Sequence, residues 1–168
     1  MELKNRKSTR IKEYNYASSG AYFLTICTQD RMCTLSKIVL DENEILKVRL
    51  TPLGELVEEQ LLFLESRYDS FKLDNYVIMP NHIHILCTLL SNESEAGGAS
   101  PSPTITQIIC AFKSLVSRIY GKQKDSKLFQ RSFYDHIIRN EADFLEVWDY
   151  IDANPFRWNK DKLYKDNV

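Results

Sequence analysis

No apolar run in this 168-residue chain approaches the roughly 18–20 residues needed to cross a bilayer. The polar, basic start MELKNRKSTRIK lacks the apolar core of a secretory signal. The expectation from both absences is a cytoplasmic protein with no membrane partner. There is no Cys-x-x-Cys pair, and the four cysteines (Cys27, Cys33, Cys87 and Cys110) read as reduced thiols, three of them inside apolar segments. Glycine and proline are scarce at five each, which excludes collagen-like and low-complexity chains. With 43% hydrophobic and 27% charged residues the chain is globular rather than disordered, and its length suits one domain and not two. An excess of one charge is missing as well. The 22 basic and 23 acidic residues leave a net charge of -1, so nothing draws the whole molecule toward nucleic acid or anionic lipid.

Charge is nevertheless uneven along the chain. Residues 1–12 hold five bases against Glu2, residues 41–74 hold nine acids against four bases, and residues 104–140 hold seven bases against Asp125 and Asp135. Any contact with a polyanion must come from such patches, although charge runs also arise as ordinary solvated faces.

The aromatic and β-branched run Ala21–Thr28 predicts a central strand. Ile38–Leu40 and Ile45–Leu50 predict a small hairpin around Asp-Glu-Asn-Glu. Thr51-Pro52 is a capped helix start, after which Leu53, Leu56, Val57, Leu61 and Leu64 recur at helical spacing. Strands are predicted at Asp74–Met79 and His82–Leu90 across a Pro80-Asn81 turn, and Ser91–Pro103 reads as a flexible loop. Ile105, Ile108, Ile109, Phe112, Leu115, Val116 and Ile119 trace an amphipathic helix that Gly121 can end. Ser132–Ile138 predicts another strand, and Asn140 caps a last helix that Pro155 stops. With the hairpin set aside, the order is βαββαβ plus a helix. That is the α+β, ferredoxin-like (RRM-like) antiparallel pattern with an added C-terminal helix and a small inserted hairpin.

Two of the three histidines lie in Pro80-Asn-His-Ile-His84. Residues two apart on a strand share a face, roughly 6.8 Å apart along it, so His82 and His84 face with Leu86 while Ile83, Ile85 and Cys87 face the other way. Two such imidazoles can converge on a divalent ion, or can be a polar pair at a sheet surface. On the last helix, Phe144, Val147, Trp148 and Ile151 form the apolar stripe, and Tyr150 and Asn154 sit one turn apart at its edge. Such a tyrosine is commonly a half-buried core residue, and an asparagine before proline a helix terminator.

Pro80–His84, Arg131-Ser-Phe-Tyr-Asp-His-Ile-Ile-Arg-Asn-Glu141 and Asp149-Tyr-Ile-Asp-Ala-Asn-Pro155, with Tyr22–Thr28 before them, resemble in order and separation the HUH (His-hydrophobe-His) single-tyrosine transposases. The closest branch is the REP-associated tyrosine transposases, and the resemblance runs from about residue 18 to about residue 158. It implies one catalytic domain over residues 18–158, with a basic arm at 1–17 and a tail at 159–168. It further implies that His82 and His84 are metal ligands, that Tyr150 is the nucleophile, and that Asn154 is the third ligand. The implied activity is metal-dependent nicking and rejoining of single-stranded, hairpin-containing DNA through a 5′-phosphotyrosine bond, with Mg2+ or Mn2+ as cofactor, in a monomer or homodimer. The basic arm, Lys113, Arg118, Lys122 and Lys124 are candidate DNA-backbone contacts, with Arg131 and Arg139 nearer the site. Tyr14, Tyr16 and Trp158 are candidate stacking residues. A non-catalytic or domesticated binder of nucleic-acid hairpins on the same fold is the alternative reading.

Overall fold

A computed structural model of the chain describes residues 19–91, 103–121 and 127–165. The basic arm with Tyr14 and Tyr16, Lys122, Lys124 and nearly all of the predicted loop at 91–103 lie outside these residues. The central strand β1 (Gly20–Cys27) pairs on one side with β5 (His82–Leu89) and on the other with β6 (Tyr134–Ile137), and β4 (Phe71–Ile78) flanks β5. The order β4-β5-β1-β6 with every neighbour antiparallel is the predicted ferredoxin-like sheet. The inserted hairpin, β2 (Ser36–Leu40) and β3 (Leu46–Leu50), forms its own two-stranded sheet, and its loop is tied down by Asp41, whose Oδ1 accepts from the backbone of Asn43 and Ile45.

Helix α1 (Pro52–Arg67) starts as the sequence dictates, with the Thr51 hydroxyl accepting from Gly54 N at 3.1 Å and proline in the first turn. Helix α2 (Ile105–Tyr120) opens with a capping box in which Thr104 and Gln107 exchange side-chain and backbone hydrogen bonds. Both pack on the sheet face that carries Ile83, Ile85 and Cys87, together with Tyr22, Leu24 and Ile26 of β1. Helix α3 (Glu141–Ala153), capped by Asn140, covers the opposite face, where Val147 and Ile151 bury against Leu86, with Phe23, Val77, Phe144 and Trp148 around them. Burying such aliphatic side chains is worth about 1.5–3 kcal/mol each, so two of them and their aromatic rim hold α3 against the strand that carries the histidines.

The structure departs from the sequence expectation in several places, and the hairpin strand β2 begins two residues early, at Ser36. Strand β4 begins at Phe71, because a register shift between Leu73 and Asn75 breaks the alternation by which a strand is recognised. Strand β6 keeps only Tyr134–Ile137, since β1 pairs with it over Tyr22–Thr25 alone. Pro155 does end α3, but the chain turns at once into a 3₁₀ segment, Pro155–Lys160, and folds back. All four cysteines are free, and no helix among the described residues is long and apolar enough to cross a membrane.

Candidate functional site

The sheet geometry brings His82, His84 and Tyr150 together. β5 aims both imidazoles at the α3 side, 0% and 3% exposed, with their Nε2 atoms 3.1 Å apart. Asn81 sets the orientation of His82. The Leu163 carbonyl can only accept a hydrogen bond, so the Asn81 amide turns its Nδ2 to it at 2.8 Å and its Oδ1 toward His82 Nδ1, also at 2.8 Å. His82 Nδ1 therefore donates, which leaves the Nε2 lone pair pointing at His84. His84 Nδ1 lies 2.9 Å from Thr25 Oγ1 on the neighbouring β1, and a hydroxyl can donate or accept there. Either His84 donates its Nε2 proton to His82, or that proton moves to Nδ1 and two lone pairs converge where a cation fits. Burial pushes His82 down to about 4 and His84 well below the ordinary imidazole value. Both rings are thus neutral near pH 7, the form in which imidazole binds metal.

Tyr150 projects from α3 with its hydroxyl 3.5 Å from His84 Nε2 of the same chain, and the two rings meet edge-on at 5.3 Å between centroids. Phe23 braces both rings. Tyr150 is 40% exposed, so it is anchored by aromatic neighbours yet open to solvent. Burial, and next the charge of Asp161, raise its phenol above the ordinary value, against a lowering hydrogen bond from Asn154. The phenol is therefore protonated at neutral pH.

Asn154 comes one turn later and is 3% exposed. Its Nδ2 donates to Asp161 Oδ2 at 3.4 Å, while its Oδ1 is buried without a hydrogen-bond partner. A buried, unpaired carbonyl-type oxygen costs about 1–3 kcal/mol and suits a hard cation. Asp161, on the segment that folds back after Pro155, also reaches the histidines. One ligand atom from each of His82, His84 and Asp161 lies within 4.8 Å of the others, a grouping that can hold a metal ion. These donors, two imidazoles, an amide oxygen and a carboxylate, fit a divalent ion of the Mn2+ type.

A cleft of about 740 Å³ opens beside Tyr150 and His84, floored by Phe23 and Thr25 of β1. Phe133 and Tyr134 line one wall; Arg157, Lys160 and Lys162 line another. Sequence reading overlooked Asp161 and these three bases, because all four follow Pro155, where the last predicted element stops. The signal was there: Arg157-Trp-Asn-Lys-Asp-Lys162 packs three bases and one acid directly after the tyrosine helix.

The basic residues picked from sequence lie elsewhere. Lys113 is half-buried, its ammonium donating to the carbonyls of Gln130 and Arg131 at 2.6 and 3.0 Å, where it props the segment leading into β6. Arg118, Arg131 and Arg139 are exposed, and none of the three lines the cleft. His136 pairs with Asp143 at 2.9 Å and ties β6 to the start of α3. Trp158 sits 6.0 Å from the His82 ring, between centroids, and does not line the cleft.

No family model matches the chain. It is 31% identical to an "Uncharacterized protein" of Haemophilus influenzae, over 98% of this chain and 96% of that protein. A second Haemophilus influenzae protein, named "Putative REP-associated tyrosine transposase", is 25% identical over 90% of this chain and 79% of that protein. Among solved structures, a REP-associated tyrosine transposase bound to a REP hairpin aligns with a TM-score of 0.60 at 21% identity, covering 88% of this chain and 74% of that one, and so shares its fold. The chain belongs to one family with the 31%-identical Haemophilus influenzae protein, and in sequence and fold it resembles the REP-associated tyrosine transposases.

Proposed function

We propose that the protein is a strand transferase for single-stranded DNA that carries a hairpin, with Tyr150 as nucleophile. The observation that carries this reading is the placement of the Tyr150 hydroxyl 3.5 Å from one of two converging histidines, at the mouth of an open cleft with a cationic rim. The structural neighbour's REP hairpin supports a hairpin substrate by analogy.

In this reading Tyr150 Oη attacks a backbone phosphorus, the P–O3′ bond breaks, and the phenol proton ends on the released 3′-oxygen. The 5′ side of the break remains on Tyr150 as a phosphodiester of similar energy, so a 3′-OH can attack it and rejoin strands without ATP. His82, His84 and Asn154 would hold a Mn2+ or Mg2+ ion, which when bound offsets phosphate charge and eases loss of the phenol proton. Asn81 and Thr25 hold the two rings in the ligating orientation. Tyr134, 55% exposed, offers a stacking surface to unpaired bases, and Arg157, Lys160 and Lys162 offer phosphate contacts. The site closes within one chain, so a monomer suffices for it.

A labelled single-stranded hairpin oligonucleotide incubated with the protein and Mn2+ is expected to give an adduct that survives denaturing electrophoresis. The Tyr150→Phe variant is expected to give none. An adduct that persists in this variant would move the nucleophile to Tyr134, which lines the same cleft.

A further inference from the structure

Both relevant residues of the returning segment lie beyond the predicted catalytic domain. Asp161 belongs to the cluster with His82 and His84, and Leu163 holds the Asn81 amide that orients His82. We propose that Asp161 is a direct, anionic ligand of the site's metal ion, and that the bound ion therefore fastens the segment 155–165 to strand β5. The inference rests on the metal-site reading above and adds to it a residue that the His-His-Asn pattern does not contain.

Three observations carry it. First, one ligand atom each of His82, His84 and Asp161 lies within 4.8 Å of the others, so one ion can touch all three. Second, Asp161 is held in place from both sides: its Oδ2 accepts from Asn154 Nδ2 at 3.4 Å and its Oδ1 from the backbone N–H of Leu163 at 2.6 Å. Third, Asn154, the residue whose Nδ2 contacts that carboxylate, keeps its own oxygen buried and without a hydrogen-bond partner, an acceptor that a cation held by Asp161 could satisfy.

The chemistry also needs an anion there. Two neutral imidazoles and an amide leave a divalent ion with its full charge in a buried setting, and they favour softer metals. One carboxylate halves the net charge and supplies the hard oxygen that Mn2+ and Mg2+ prefer. Because β5, the end of α3 and the returning segment would each contribute a ligand, binding the ion ties together three parts of the chain distant in sequence.

The test is Mn2+ affinity by calorimetry on the full chain without DNA, for wild type, Asp161→Asn, His84→Ala and Asp152→Asn. Asp152 is an exposed carboxylate bonded to Asn75 and serves as the control. Asp161→Asn keeps the shape and removes the charge, and is expected to weaken Mn2+ by at least about tenfold. His84→Ala is expected to abolish binding, and Asp152→Asn to change nothing. Wild-type affinity in Asp161→Asn alongside lost binding in His84→Ala overturns the Asp161 assignment and leaves the histidine site standing. Absence of Mn2+ binding in wild type overturns both. Hydrogen exchange of wild type alone gives a second readout, in which Mn2+ is expected to slow exchange across residues 157–165. Unchanged exchange there, with Mn2+ bound, also overturns the proposal.

Discussion

An imidazole offers an ion only one lone pair, and at His82 the choice of nitrogen is made by Asn81, whose own amide is fixed by the Leu163 carbonyl. Removing that chain of contacts leaves the ring free to rotate and to change tautomer. Asn81→Ala is therefore expected to weaken Mn2+ binding by about 10- to 100-fold with the fold intact, as calorimetry and circular dichroism can check. Full affinity in this variant would mean that the His82 orientation does not depend on Asn81. At this scale the sequence was partly legible. The period-two rule correctly put His82, His84 and Leu86 on one face, and helical spacing put Tyr150 and Asn154 together. Asn81 read only as a turn residue, and Thr25 only as a strand residue. Their roles come from neighbours 82 and 59 residues away in the chain, which no local pattern encodes.

Helix starts were legible because a cap is a local event. Thr51-Pro52 and Asn140 satisfy free N–H groups within a few residues, and the structure uses both as predicted. Gly54 was not legible in this way. In the first turn of α1 its Cα approaches the Leu35 carbonyl oxygen so closely that an added Cβ would collide with backbone. Gly54→Ala is expected to destabilise by about 3 kcal/mol and lower Tm by roughly 5–10 °C, measured by thermal unfolding; no change would mean the hairpin yields freely. At the start of α3, the hydrogen bond from His136, and next the Arg139 N–H, hold the Asp143 carboxyl below its ordinary value of 3.8. That contribution is present above the unfolded carboxyl's pKa and fades as pH falls through the folded one. The Tm gap between wild type and Asp143→Asn should therefore be open near about pH 6 and close toward about pH 2.5. A gap of constant size would contradict this.

Across the whole molecule, a net charge of -1 gives no general pull on DNA, so binding has to come from a local field. The structure places Arg157, Lys160 and Lys162 on the cleft beside Tyr150, and Arg118, Arg131 and Arg139 outside it. Replacing the first three by alanine is expected to lower the salt slope of hairpin binding by about 2–3 and to weaken binding to unrelated single strands as well. An unchanged slope would put the strand on another face. The fold class followed from element order, since βαββαβ with right-handed crossovers leaves few topologies open. The path of the chain after Pro155 did not. A proline says where a helix stops, while the return over the site is decided by tertiary contacts such as Asn81 with Leu163 and Trp158 with His82. The central claim is that Tyr150 takes the DNA strand onto itself. Peptide mapping by mass spectrometry of the adduct formed with hairpin DNA and Mn2+ tests it most directly. A nucleotide on the peptide that contains Tyr150, attached through a 5′-phosphate, is the predicted result. A nucleotide on any other residue, or cleavage of the strand with no protein-bound product, would contradict it.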